Sequence, residues 1–442
     1  MKYKSIFLAN IAEIARPLTQ LMMGASREHE IFEDHAFCDR FMFAQNDERI
    51  LVTPLPIEAA FWEDTTARIG MKNWINLSPK VIQESVCQAV AEDEGLMRKL
   101  TEAIRESPDI EILAYSATDE FVELVKKLKH RGLVFRTPEM PIEGSEWTTN
   151  FFGSKSGFRQ TVNSLRLADM PEGMVCHNTT EVLGLARYIL DKHGGVVLKT
   201  NRGLAGAGLK IIKRADLKEK NLNDVINEIL ASEPFWTKEL IAVEALVEAD
   251  LTVAGGNPNV ELKIEGDKVE RLYFCGMRVT KQGEFRGVEI GEGTAPKEMQ
   301  EILFKWGAEW GEYLKMTGYR GFFDMDCILG KDKRIWPLES NTRRTGGTHL
   351  YELGVRLFGK NFAQTHFVAG NNVTEAPKFY NKKYSDLKVA IEDLLYPMNG
   401  KKEGVLVTVT NYLVEGKLGY GVVGPNKTRV EEIEKKFLGK LA

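Results

Sequence analysis

The chain has few cysteines, no long apolar run and no strong excess of either charge. Its five cysteines, Cys38, Cys87, Cys176, Cys275 and Cys327, are odd in number and lack paired spacing. That argues against a zinc site and a disulfide framework, and it fits a reducing cytoplasm. No apolar run reaches the roughly 18 residues a membrane-spanning helix needs. Lys2 and Lys4 precede an apolar stretch, but Asn10, Glu13 and Arg16 interrupt it and no small-residue cleavage site follows. No signal peptide is therefore expected. The net charge of −4 and pI near 6.1 speak against nucleic acid as a partner, because counterion release needs a basic surface. No G-x-G-x-x-G motif occurs in the first 145 residues, no Ser-His-Asp or Cys-His set stands out, and nothing repeats.

At 442 residues the chain is too long for one ordinary core, and two or three domains are expected. Hydrophobic residues at 43% and charged residues at 28% are ordinary for a globular protein. Its most informative stretch is residues 318–349, GYRGFFDMDCILGKDKRIWPLESNTRRTGGTH. Residues 322–329 read as a strand, 330–333 as a turn and 334–339 as a second strand. Side chains alternate along a strand, so Asp324 and Asp326 share a face, as do Glu339, Asn341 and Arg343. A hairpin would bring the two sets together. Carboxylates beside an amide suit Mg²⁺, which prefers oxygen ligands and keeps places for water and phosphate. The neighbouring arginines suit phosphate or carboxylate. Thr345, Gly346, Gly347 and Thr348 add backbone amides that an anion can approach. A solvated hairpin with surface charges explains less of the alternation. Cys327 falls on the other face and reads as core filler.

Along the rest of the chain, residues 6–21 read as an amphipathic helix interrupted by Pro17. Residues 49–55 and 110–115 read as strands. Residues 78–105 read as one helix capped by Ser78, and 119–130 as another that ends at Gly132 before a strand at 133–135. This alternation implies an open, parallel α/β sheet. In residues 194–212 a strand ends in Lys199, and a loop with Gly203, Gly206 and Gly208 leads into a second strand. Such a loop can fold over a triphosphate, and it lacks the lysine and helix of a Walker loop. Residues 241–247 read as a strand, with Asp250 opening another, and 272–290 as a strand pair. Thr294 and Pro296 start a clear helix to about Lys315, whose apolar stripe reads as core. Residues 405–414 and 418–423 then form a hairpin, and 428–441 an amphipathic helix.

LESNTRRTGGTH resembles the metal-binding signature of the ATP-grasp superfamily, and GYRGFFDMD resembles the strand before it. The resemblance extends over roughly residues 140–370. It implies three units: an N-terminal α/β domain (1–145), an ATP-grasp domain (146–370) and a small C-terminal ββα unit (371–442). Asp326, Glu339 and Asn341 would hold two Mg²⁺ ions on the triphosphate, with Arg343 touching the transferred phosphoryl group. Gly153, Ser154 and Lys155 resemble the segment whose lysine meets a nucleotide phosphate, although Ser154 stands where an acid is common. Lys199 and the loop of Gly203, Gly206 and Gly208 resemble the phosphate loop. Glu244 would sit near the adenine amine, Val247 would cover the ring, and Asp250 would accept from the ribose. Arg278 or Arg286 would face the charge that builds on a phosphorylated carboxylate. His349 could assist amine deprotonation.

The implied chemistry is ATP-dependent carboxylate–amine ligation through an acyl phosphate, with release of ADP and phosphate. The NTRRTGGTH form looks similar to the pheganomycin-type peptide ligases. The expected partners are a small carboxylic acid or amino-acid donor and an amine or peptide acceptor, in a homodimer in the cytoplasm. The alternatives are an ATP-grasp phosphotransferase or carboxylase-type enzyme, and a non-catalytic ATP-binding module.

Overall fold

The computed structural model describes residues 2–44, 47–203, 208–217, 220–251 and 256–442. Four short strands, β1 (Ser5–Leu8), β2 (Arg49–Val52), β3 (Trp74–Leu77) and β4 (Glu111–Ala114), form a parallel sheet in the order β3-β2-β1-β4. β1 and β2 are buried on both faces, as parallel strands are when other elements cover both sides. On one face Ile6, Leu8, Ile50, Val52 and Ile112 pack under the helices Val86–Glu92, Glu94–Glu106 and Asp119–His130. On the other, Phe7, Leu51 and Leu113 pack into a core shared with the largest sheet.

Three N-terminal expectations change. Residues 6–21 are not one helix: β1 is a strand, and the helix is Ile11–Thr19, with Pro17 inside it. Asn10 makes the break, because its amide donates to Glu13, to the Ser116 carbonyl and to Thr118. Residues 78–105 hold two helices, capped by Ser85 and Asp93. Ser78 caps neither; its hydroxyl meets that of Thr53 at 3.2 Å. Residues 133–135 form no strand, and only a single bridge joins Arg136 to Glu111.

The second sheet is antiparallel. Its strands β5 (Gly173–Cys176), β6 (Gly195–Thr200), β7 (Leu209–Lys213) and β8 (Ile241–Ala245) run in the order β5-β8-β6-β7. The helices Thr179–His193 and Leu222–Ser232 pack against it through Ala186, Ile189, Ile226 and Leu230. Among the described residues Asp250 lies in no strand: Ala249 makes one bridge to Gly330, and the next described strand starts at Pro258.

The third sheet has eight strands. They are β9 (Pro258–Glu265), β10 (Lys268–Val279), β11 (Phe285–Ile290), β12 (Gly321–Leu329), β13 (Ile335–Glu339), β14 (Phe367–Glu375), β15 (Gly404–Val409) and β16 (Lys417–Gly424). Their order is β13-β12-β9-β10-β11-β14-β16-β15, with every pairing antiparallel. The helix Lys297–Met316 packs under β9 and β12 through Leu303, Trp310 and Leu314. It starts at Lys297, and Thr294 does not cap it; that hydroxyl donates to the Gly291 carbonyl at 2.7 Å. The C-terminal hairpin and the helix Lys427–Leu441 are present, and the hairpin strands continue the large sheet through β14. Among the described residues no helix is long and apolar enough to cross a membrane.

Candidate functional site

The β12–β13 hairpin brings the predicted acids together. Asp326 and Glu339 are cross-strand partners, and Asp324 lies two residues along on the same face. Phe323, Met325 and Cys327 point the other way, into the core with Trp310, and this anchors the strand. Asn341 folds back over the acids. Its backbone N–H donates to Asp324 Oδ1 at 2.6 Å, and its amide donates to Asp324 Oδ2 at 3.1 Å and Asp326 Oδ2 at 3.2 Å. Arg343 donates to the Asn341 amide oxygen. From β9, the Asn259 amide donates to Asp324 Oδ2 at 2.9 Å and Asp326 Oδ1 at 2.6 Å.

This packing crowds negative charge. Burial raises Asp324 to about 7; the Asn341 N–H opposes the rise and the Glu261 charge adds to it. Burial, then the charges of Asp324 and Glu339, push Asp326 well above the usual carboxylate range. Against the cost of burial, Lys155 and Lys199 hold Glu339 down at about 2. Among the described residues no three His, Cys, Asp or Glu side chains make a metal cage of their own. Two carboxylates flanked by amides fit Mg²⁺ better than zinc, because Mg²⁺ takes one or two protein acids and leaves its other places to water and phosphate oxygens.

Two lysines line the same cavity. Lys155 is the first residue of the helix Lys155–Leu165, and its Nζ meets Glu339 Oε2 at 3.0 Å. The Ser154 hydroxyl caps that helix by accepting from the Gly157 N–H at 3.1 Å. Asn201, just past β6, ties the helix start to the sheet: its carbonyl accepts from the Lys155 N–H and its side chain from the Ser156 N–H. Ser154→Ala is expected to cost about 1 kcal/mol of stability, the usual cost of a lost cap, measured by urea unfolding.

Lys199, on β6, meets Glu244 Oε2 at 2.7 Å, and Arg159 meets Glu244 Oε1 at 2.7 Å. Burial alone would raise Glu244, but the Lys199 and Arg159 charges outweigh it and hold this carboxyl below its usual value. The Glu244 carboxylate is thus engaged by two cations, which was not expected of an adenine contact. Gly203 and Gly208 line the cleft, and Gly206 lies outside the described residues. Gly208 has φ +76°, and a Cβ there would stand 2.0 Å from the Thr200 hydroxyl, so the loop needs glycine at this point. Val247 and Asp250 line the same cleft, and Asp250 forms an ion pair with Lys333.

Lys155, Lys199, Glu244, Asp326, Glu339, Asn341 and Arg343 all border one cavity of about 1170 Å³. Arg286 reaches it too, partly exposed and paired with Glu284 at 2.7 Å. Arg278 and His349 do not line it. Arg278 is bound by Glu289 and by Glu434 of the C-terminal helix, with Nη2 3.0 Å from Glu434 Oε2. His349 is buried, with neither ring nitrogen hydrogen-bonded, and burial together with the Arg40 charge keeps it well below the usual imidazole value. That places a neutral ring in the packing behind the 345–348 loop.

Two contributors, Asn259 and Glu261, escaped sequence reasoning, and so did the pairing of Arg159, a residue of the Lys155 segment, with Glu244. Asn259 and Glu261 alternate with Val260, Leu262 and Ile264 on β9, a period-two pattern that could have marked this strand. Glu261 accepts from the hydroxyls of Tyr273, Thr345 and Thr348, which fixes the loop beyond Arg343. Arg159 balances Glu244 from a helix far away in sequence, and no local pattern signals that.

No family model matches the chain. Over 286 residues it is 26% identical to an L-propargylglycine–L-glutamate ligase of Streptantibioticus cattleyicolor, covering 61% of this chain and 55% of that protein. Over 263 residues it is 22% identical to a [butirosin acyl-carrier protein]–L-glutamate ligase of Niallia circulans, covering 56% and 55%. The chain thus matches little more than half the length of these relatives. Among solved structures, the biotin carboxylase–β,γ-ATP complex of Campylobacter jejuni superposes with a TM-score of 0.58 at 14% identity, covering 100% of this chain and 92% of that one. A cleft lined by an antiparallel four-stranded sheet and by the large sheet, in a chain that opens with a parallel sheet, and the likeness to solved ATP-grasp enzymes agree: the chain has the ATP-grasp fold.

Proposed function

We propose that the protein is an ATP-dependent carboxylate–amine ligase that forms an amide bond and releases ADP and phosphate. One observation carries this reading: Asp326 and Glu339 face each other across a hairpin, in a cleft that Lys155 and Lys199 also line. Acids that can hold cations, with lysines in the same cleft, suit a polyphosphate neutralised by metal ions and by ammonium groups. Asp326, Glu339 and Asn341 would hold two Mg²⁺ ions, which draw negative charge from the β- and γ-phosphates. Lys155 and Lys199 would exchange their present carboxylate partners for phosphate oxygens. Val247 would cover the adenine and Asp250 lies where a ribose hydroxyl could reach it. Arg343, with no ion pair among the described residues, would bind the phosphoryl group in flight.

The reaction needs no protein nucleophile. A carboxylate oxygen of the donor attacks the γ-phosphorus and ADP leaves. The amine then attacks the acyl carbon, loses a proton and expels inorganic phosphate. The chain's own work is to orient the three substrates and keep water away. His349 and Arg278 have no part in this account, because neither lines the cleft. Arg286, which lines the cleft, would meet the acyl phosphate. Both curated relatives are named as L-glutamate ligases, which supports an amino acid as one substrate.

The test is Mg²⁺-dependent ADP release screened against pairs of amino acids and amines, with mass spectrometry of the products. ADP together with an amide supports the ligase. The likeness to a biotin carboxylase favours one second reading, in which bicarbonate alone elicits ADP release and no amide forms.

A further inference from the structure

The cavity extends past the metal acids to a second end that ATP chemistry does not use. Its wall there is the helix Gly24–Ala36 with the short 3₁₀ segment Phe37–Phe43, facing Tyr115 and the 343–347 loop. A pocket for one ligand is about 300–1,000 Å³, so a cavity of about 1170 Å³ leaves room beside a nucleotide.

A buried arginine and a buried aspartate line this end with no ion pair between them among the described residues. Arg40 is 4% exposed, and its guanidinium lies 5.5–5.7 Å from the ring centres of Phe37, Phe41 and Tyr115. Its Nε has no hydrogen-bond partner, and among the described residues no carboxylate forms an ion pair with it. Asp34 is 3% exposed, and its Oδ2 also has no hydrogen-bond partner. Folding normally pairs such groups, because a buried charge without a partner is costly. Here burial and the charges of Glu30 and Glu33 push the Asp34 carboxyl well above the usual carboxylate range against the Arg40 charge, so a cation bound beside it would favour its ionised form.

We propose that this end is a subsite for a free α-amino acid held as its zwitterion, with its ammonium on Asp34 and its carboxylate on Arg40. The two substrate charges would supply the two missing partners, and the Arg40 fork suits a carboxylate. Ile11, Phe37 and Tyr115 give the substrate an apolar surround. Glu30 and Glu33 add negative charge on the Asp34 side, and Arg343 faces the subsite from the metal end. The use of the amino acid rests on the ligase reading above; its binding does not.

The test uses the full chain with Mg²⁺ and a non-hydrolysable ATP analogue. Calorimetry measures binding of the twenty proteinogenic amino acids. For the tightest binder, its des-amino and carboxamide analogues follow, each on wild type, Asp34→Asn and Arg40→Gln. Loss of a charge-assisted contact weakens binding about 10–100-fold, so each variant is expected to weaken the amino acid by that factor. Asp34→Asn should leave the des-amino analogue unchanged, and Arg40→Gln the carboxamide. On wild type each analogue should bind about 10–100-fold more weakly than the amino acid, a comparison that needs no folded variant. ATP-analogue affinity within about twofold of wild type certifies that a variant is folded. The subsite is overturned if no amino acid binds at about 10 mM, or if the variants and analogues bind alike. Amide synthesis with an unaltered KM in both variants would remove the subsite and leave the ligase standing. Amino-acid binding that obeys the analogue pattern, with no amide from any amine, would do the reverse.

Discussion

Asp326→Ala is expected to lower the proposed Mg²⁺-dependent ADP release by about a thousandfold or more and to leave the protein folded. Metal ions on a transferring phosphoryl group contribute several kcal/mol to the barrier, and about 4 kcal/mol is a thousandfold in rate. Asp326 lies among Asp324, Glu339 and the two asparagines, so its removal takes away half of the carboxylate pair without opening the sheet. The same change should scarcely touch stability. Burial and the neighbouring acids already disfavour the ionised Asp326 in the fold. The amides of Asn259 and Asn341 keep a partner, because both also donate to Asp324 Oδ2. The thermal midpoint should move by no more than about 3 °C, on the order of 1 kcal/mol for a large domain. Mg²⁺ should no longer raise the midpoint in the presence of ATP. Steady-state ADP release and a thermal scan with and without Mg²⁺ check both halves. Full turnover in this variant would remove the acids from the site.

How much of this was legible in the sequence differs from element to element. The β12–β13 hairpin was, because its acids, turn and flanking apolar residues are local and alternate with period two. Lys155 and Lys199 were picked out as phosphate-binding lysines by motif resemblance, and both line the cleft. The sequence could not say which wall each side chain would face at long range. Glu244 was read as an adenine contact, yet Arg159, 85 residues earlier, claims one of its oxygens. Arg278 was indistinguishable from Arg286 in one strand pair, and Glu434 at the far end of the chain decides between them by binding Arg278. Asp34 and Arg40 lie in a stretch with no motif, and only the packing of the first helices against Tyr115 makes them part of the cavity. Helix starts went astray at Ser78 and Thr294, since a capping residue type says nothing about a competing hydroxyl or carbonyl nearby.

Glu244→Gln separates a structural from a nucleotide-binding role for this carboxylate. It is 3% exposed, and it is the only carboxylate that pairs with Lys199 or Arg159 among the described residues. Gln keeps the shape and takes away the charge, which leaves Arg159 without an ion pair and Lys199 with only the Glu339 charge nearby. Breaking a buried pair from one side costs about 3–5 kcal/mol, and that loss is expected in urea unfolding. Arg159 retains the carbonyls of Pro171 and Gly173, so most of the cost falls on Lys199. Lys199→Met in the same chain should therefore restore part of the stability, a coupling that a double-mutant cycle reads directly. ATP should also offset the loss, because phosphate supplies Lys199 with the charge that Gln lacks. Its stabilising shift is then larger in Glu244→Gln than in wild type. If Glu244 chiefly met the adenine amine, the variant would keep its stability and bind ATP more weakly. The two accounts thus predict opposite changes in two measurements on one variant.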